Sequence, residues 1–210
     1  MLSDSEFEAV YGRWAPRTPA DAARLFDGYR GAWWIAGGWA LQTFTGVERH
    51  HEDLDPSVLS VELPALRSHL TGRLHVWTAA SGALKPLLPH ERPEGTAQEL
   101  LPDGTHQLWT RRSAAHPWEY DILLSTGTAQ EWIYRRDTSI RMPLSDALWE
   151  LDGIRYLQPE IQLLYKARGQ RPKDEADFTA TVPYLDERRR SWLRDALEHT
   201  IPGHDWTRRL

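Results

Sequence analysis

The residues whose type and spacing best suit chemistry are Asp53 and Asp55, which close the run Arg49-His50-His51-Glu52-Asp53-Leu54-Asp55. In extended chain, positions i and i+2 project to one face, so the two carboxylates point together. Two acids that close repel each other unless a cation lies between them. Hard oxygen ligands at this spacing suit Mg2+, which commonly takes one or two carboxylates together with substrate phosphates. A second acidic pair, Glu119 and Asp121, lies in Trp118-Glu119-Tyr120-Asp121-Ile122-Leu123-Leu124 and shares one strand face by the same rule. With that strand beside the Asp53 segment, either Glu119 or Asp121 supplies a third carboxylate. It would complete a metal site or take the proton from an attacking hydroxyl. Fourteen residues separate Gly37-Gly38 from Asp53. Paired glycines let backbone approach an anion closely, and a helix starting near Trp39 turns free N–H groups toward a phosphate.

These side chains need elements to position them. Thr18-Pro19-Ala20-Asp21 combines an N-cap, a proline at the first helical position and an acid in the first turn, which predicts a helix from 19 to about 29. Residues 33–36 form a short apolar run that ends at the glycine pair, a buried strand leading into a turn. A short helix over 39–45 follows, stopped by Gly46. Strands are expected over 53–59, 74–78, 107–111 and 118–124, with an edge strand over 132–134 and a helix over 63–72. The proline- and glycine-rich run 80–104 reads as loop holding at most one short strand. From about 143 the pattern turns helical, with helices opened by Pro159 and by Pro172-Lys173-Asp174-Glu175, and a third capped by Asp186. The expectation is an α+β chain: a mixed core over 1–142 and a helical region over 143–210.

The 210 residues are 40% hydrophobic and 26% charged, an ordinary globular balance that can bury a proper core. The absence of cysteine excludes disulfides, thiolate metal sites and a Cys nucleophile, and fits an expected cytoplasmic location. The opening residues are polar and acidic, unlike a signal peptide, and no apolar run approaches the ~18 residues that span a membrane. A net charge of −5 argues against gripping a nucleic-acid backbone. Eleven tryptophans are expected mainly as core filling, with stacking on a ring-bearing ligand as the sharper alternative. His50-His51-Glu52 lacks the i, i+4 histidine spacing of helical zinc sites. A Gly-x-Ser-x-Gly elbow, a P-loop lysine motif and a glycine-rich dinucleotide fingerprint are all missing.

Residues 34–40 (WIAGGWA), Gly46 and residues 49–55 (RHHEDLD) together resemble the DNA polymerase β-type nucleotidyltransferase superfamily. Within it they are most similar to the aminoglycoside and lincosamide nucleotidyltransferase branch, in which a Gly-Gly-Trp segment precedes an Arg-x-His-x-Asp-x-Asp segment. Arg49, His51, Asp53 and Asp55 fill those places. Residues 159–168 (PEIQLLYKAR) and 171–178 (RPKDEADF) are also similar, whereas about 80–115 match nothing. The resemblance implies a small mixed sheet with helices on one face. It implies transfer of a nucleoside monophosphate, from ATP or another NTP, to a hydroxyl, with pyrophosphate leaving. Asp53 and Asp55 would hold one or two Mg2+ ions against the triphosphate, and Asp121 would be third ligand and general base. Gly37, Gly38, Arg49, His51, Lys166 and Lys173 would contact the nucleotide. The acceptor would be a small hydroxylated molecule such as an aminoglycoside or lincosamide, with Glu119 and Glu131 available to its ammonium groups. Lys173 opposes the helix dipole at a helix start, which itself asks for a nearby anion. Pro56 departs from the family pattern by removing a ladder N–H, so the strand is expected to be bulged or at an edge there. Two rival readings are a nucleotidyltransferase acting on a protein or tRNA and a non-catalytic NTP-binding module.

Overall fold

The computed structural model describes residues 3–91, 101–169 and 171–210. The chain forms two compact units, one drawn from residues 1–33 and 51–128 and the other from 34–50 and 129–210. The first opens with helix α1 (Asp4–Tyr11), where Ser3 and Glu6 cap each other: the Glu6 N–H donates to Ser3 Oγ and the Ser3 N–H to Glu6 Oε2. Helix α2 (Pro19–Leu25) starts where the sequence predicts, with the Thr18 N–H donating to Asp21 Oδ2 at 2.9 Å. It stops earlier than 29 because Asp27-Gly28 turns the chain, Gly28 lying at φ 73°. Strand β1 (Trp33–Ile35) leads into the second unit, which takes helix α3 (Gly37–Thr45). Gly46 ends α3 in the left-handed region, its N–H bonding the Gln42 carbonyl.

The first unit resumes with β2 (Pro56–Leu59) and helix α4 (Leu63–Leu70), then β3 (His75–Ala80), β4 (Ala83–Leu87), β5 (Gln107–Arg111) and β6 (Tyr120–Ser125). Within this unit the strand order is β4-β3-β5-β6-β2, antiparallel throughout except for the parallel pair β6·β2. The β3–β4 hairpin turns on Ser81-Gly82, both at positive φ. The rest of the expected 80–104 loop lies partly in residues 92–100, outside the described residues. Two expectations change here. The strand expected over 53–59 begins at Pro56, so Asp53 and Asp55 precede it. Pro56 is the strand's first residue and lies outside the register of β2 with β6, so its missing N–H gives up no ladder bond there. Leu54, Val58, Leu59, Leu63, Leu66, Leu70, Leu108 and Ile122 are fully buried and make this unit's core.

The second unit continues with β7 (Glu131–Ile133) paired to β8 (Arg141–Pro143), helix α5 (Leu144–Ala147), and the hairpin β9 (Leu148–Leu151) and β10 (Ile154–Leu157). β10 pairs in parallel with β1 through Tyr156 and Ile35. Helices α6 (Pro159–Ala167), α7 (Pro172–Thr181) and α8 (Glu187–Thr200) follow, with the Asp186 carboxylate capping α8 through the Arg189 N–H. The expectation that residues beyond 143 are helical is thus corrected by the β9–β10 hairpin, whose Asp152-Gly153 turn has φ of 52° and 75°. Trp34, Trp118 and Trp132 are at most 1% exposed, the core filling expected of them. No helix among the described residues is long and apolar enough to cross a membrane.

Candidate active site

Asp53 and Asp55 flank Leu54, which is fully buried. Alternation along extended chain turns both acids away from the core that holds Leu54. The Leu54 carbonyl accepts the Asp121 N–H at 3.0 Å, which fixes this segment against the start of β6. The result is convergence: one carboxylate oxygen from each of Asp53, Asp55 and Asp121 lies within 4.8 Å of the others. Asp53 and Asp55 are half-buried and Asp121 is buried. Asp121 Oδ1 is sealed from solvent without a hydrogen-bond partner among the described residues. Burial, reinforced by the charges of Asp55 and Asp53, pushes the Asp121 carboxyl well above the usual carboxylate range, against a smaller opposing effect of the Trp109 side chain.

Glu119, expected from alternation to share the face of Asp121, does not join the cluster. β6 begins at Tyr120, so Glu119 lies just before the strand. Its carboxylate is buried between two arginines, with Arg17 Nη2 at 2.6 Å and Arg112 Nε at 3.2 Å. Of the two acids, Asp121 is therefore the one beside Asp53 and Asp55. Glu131 pairs loosely with Arg141 at 3.6 Å on the surface of the second unit. His51 is half-buried in the segment leading to Asp53.

In the second unit, α3 begins at Gly37 rather than near Trp39. Gly37 sits at φ 65°, a conformation glycine adopts at no steric cost, and both Gly37 and Gly38 are buried. The Gly37 N–H is already used: it donates to Gln162 Oε1 at 2.8 Å. Arg49 grips Asp177 with both prongs of its guanidinium, Nε to Oδ1 at 2.8 Å and Nη2 to Oδ2 at 3.2 Å, and Nη1 donates to the His50 carbonyl. Lys166, only 8% exposed, meets the same Asp177 at 2.8 Å and Asp174 at 3.1 Å. Asp174 is also held by Arg171 Nε at 2.8 Å. Burial would raise the Asp174 carboxyl, but Arg171 and Lys166 outweigh it and hold the group below its usual range. Arg49 and Lys166, far apart in sequence, are thus joined at one carboxylate, while Lys173 is half-buried in the first turn of α7. Gln162, Asp174 and Asp177 were not singled out from sequence. The i, i+3 spacing of the two acids on a helix already put them on one face, and that was the available signal.

No protein-family model and no curated protein matches the sequence. Solved structures do match. The lincosamide antibiotic adenylyltransferase LnuA, bound to lincomycin, aligns with a TM-score of 0.51 at 14% identity, over 78% of this chain and 94% of its own. ANT(2")-Ia in complex with adenylyl-2"-tobramycin aligns with a TM-score of 0.51 at 15% identity, over 84% of this chain and 92% of its own. At such identities the likeness is one of fold. This chain therefore has the nucleotidyltransferase fold, in the form taken by the lincosamide and aminoglycoside nucleotidyltransferases.

Proposed function

We propose that the protein is a metal-dependent nucleotidyltransferase that moves a nucleoside monophosphate, from ATP or another NTP, to a hydroxyl of a small antibiotic-like molecule, releasing pyrophosphate. The observation that carries this reading is the meeting of Asp53, Asp55 and Asp121, one carboxylate oxygen of each lying within 4.8 Å of the others. Three carboxylates so close are costly unless their charge is offset. Three oxygens of hard carboxylate donors within 4.8 Å of one another are a donor set that would suit a hard divalent cation, with Asp53, Asp55 and Asp121 as the residues to hold it. When bound, such a cation supplies charge neutralisation at the phosphate oxygens of the NTP.

The remaining work is positioning and proton transfer by the chain's own groups. Asp53 and Asp55 hold the metal side of the site. Asp121 takes the proton of the acceptor hydroxyl as that oxygen attacks the α-phosphorus and pyrophosphate leaves. Arg49, His51, Lys166 and Lys173, with the Gly37-Gly38 backbone, are the proposed nucleotide contacts. Arg49 and Lys166 would act as a pair, since Asp177 ties them together. The acceptor class is suggested by the structures sharing the fold, one holding lincomycin and the other an adenylylated tobramycin. The test is a matrix of NTPs against lincosamides and aminoglycosides, read as pyrophosphate release, with Asp53→Asn as control. Acceptor-dependent release that Asp53→Asn abolishes supports the reading. Release with no antibiotic but with labelled protein or tRNA in a lysate would move the acceptor to a macromolecule. Release unchanged by Asp53→Asn would refute the site.

A further inference from the structure

Trp109 on β5 is the register partner of Asp121 on β6. Directly opposed residues of an antiparallel pair project from the same face with Cβ atoms about 4.5–5.5 Å apart. The Trp109 ring is 8% exposed and is held in a cage of rings: Trp14 at 5.1 Å, Trp118 at 5.3 Å, Phe7 at 5.9 Å and Tyr11 at 6.0 Å between centroids. So large a cage around one indole has an ordinary explanation in core packing. Its polar atom does not. Trp109 Nε1 is sealed from solvent and makes no hydrogen bond of ordinary length and angle among the described residues, and the same holds for Asp121 Oδ1. A buried donor and a buried acceptor thus face the same side of neighbouring strands, each without its partner, although native interiors rarely leave such groups unmatched.

We propose that Trp109 is a positioning residue for Asp121: its indole N–H takes one carboxylate oxygen and leaves the other for the Asp53–Asp55 side of the cluster. The proposal rests on reading the three aspartates as a metal site. It assigns Trp109 the part that outer hydrogen-bond donors play around metal-binding carboxylates, fixing the orientation of a ligand they do not replace.

Two measurements test it. The first is the indole region of a 1H–15N spectrum. The Trp109 resonance is identified by its loss in Trp109→Phe, or by its ring contacts with Trp14 and Trp118 should that variant not fold. Asp121→Asn is expected to move this resonance, and a spectrum in which it stays in place overturns the proposal. The second is Mn2+ affinity followed by electron paramagnetic resonance in the presence of α,β-methylene ATP. Trp109→Phe keeps the ring and removes the N–H, and is expected to weaken Mn2+ binding by about tenfold. Trp14→Phe, which disturbs the same cage without touching the donor, is expected to leave it unchanged. Equal effects of the two variants would reduce Trp109 to packing. If the wild type itself binds no Mn2+, the metal reading fails and this proposal falls with it, an outcome distinct from a wild type that binds Mn2+ and a Trp109→Phe variant that binds it equally well.

Discussion

Replacing Lys166 by methionine asks whether that buried ammonium is chiefly a strut. Lys166 Nζ lies 2.8 Å from Asp177 and 3.1 Å from Asp174, and the three side chains are 8%, 5% and 0% exposed. Removing one partner of a buried ion pair typically costs about 3–5 kcal/mol, because it strands the opposite charge. Here neither acid is stranded: Asp177 keeps Arg49 and Asp174 keeps Arg171. The loss should therefore fall near the bottom of the range, about 3 kcal/mol. For a chain of this length 1 kcal/mol moves the melting midpoint by about 2–4 °C, so Lys166→Met should melt about 6–12 °C below wild type. The same network makes a second statement. Lys166→Met and Asp177→Asn remove two ends of one contact, so the double variant should lose less than the sum of the singles, by about 1–3 kcal/mol. Thermal unfolding gives the midpoints and urea unfolding the free energies of the four proteins at neutral pH. Strict additivity, or a Lys166→Met midpoint within about 2 °C of wild type, would show that the network does not bear on the fold as argued.

Asp121→Asn should stabilise the metal-free protein near neutral pH, since burial beside Asp55 and Asp53 makes the folded carboxyl costly to ionise. The sign follows from linkage: the folded carboxyl titrates above its unfolded value, so its favourable contribution is full below the unfolded pKa and is lost as pH rises through the folded one. The melting-midpoint gap between Asp121→Asn and wild type should therefore close as pH falls toward 3.8, and a gap constant with pH would contradict the burial argument. Glu119→Gln should loosen the N-terminal segment, because Arg17 and Arg112 lose their shared anion, yet reduce turnover far less than the ~100-fold or more expected of Asp121→Asn. Comparing kcat for the two variants checks this, and equal losses would put Glu119 back among the reacting groups.

Much of the site was legible because it depends on short-range rules. Asp53 and Asp55 point together whether or not their segment belongs to a strand, so the late start of β2 at Pro56 left that reading intact. Alternation in 118–124 offered Glu119 and Asp121 alike, and the bond from the Asp121 N–H to the Leu54 carbonyl is what sets Asp121 beside the first two acids. The place of Glu119 was not legible, because its carboxylate is buried between Arg17 and Arg112, partners that periodicity does not reveal. The β9–β10 hairpin carried its own signal, Asp152-Gly153 between apolar runs, which the helical motifs on either side obscured. What could not be read were partnerships made at long range. Gln162 capping Gly37 and Arg49 meeting Lys166 at Asp177 join residues over a hundred positions apart or on separate helices, and no local pattern encodes them. Trp109 was one of eleven tryptophans until strand register set it opposite Asp121.

The most direct test of the proposed centre is cation binding by the three aspartates themselves. Mn2+ titrations of wild type, Asp53→Asn, Asp55→Asn and Asp121→Asn, each with α,β-methylene ATP present, should give a bound ion in the wild type. Each substitution should lower its affinity by about tenfold or more, with the fold unchanged by circular dichroism. A wild type that binds no ion, or an Asp121→Asn protein that binds it as tightly as wild type, would contradict a site built on these three carboxylates.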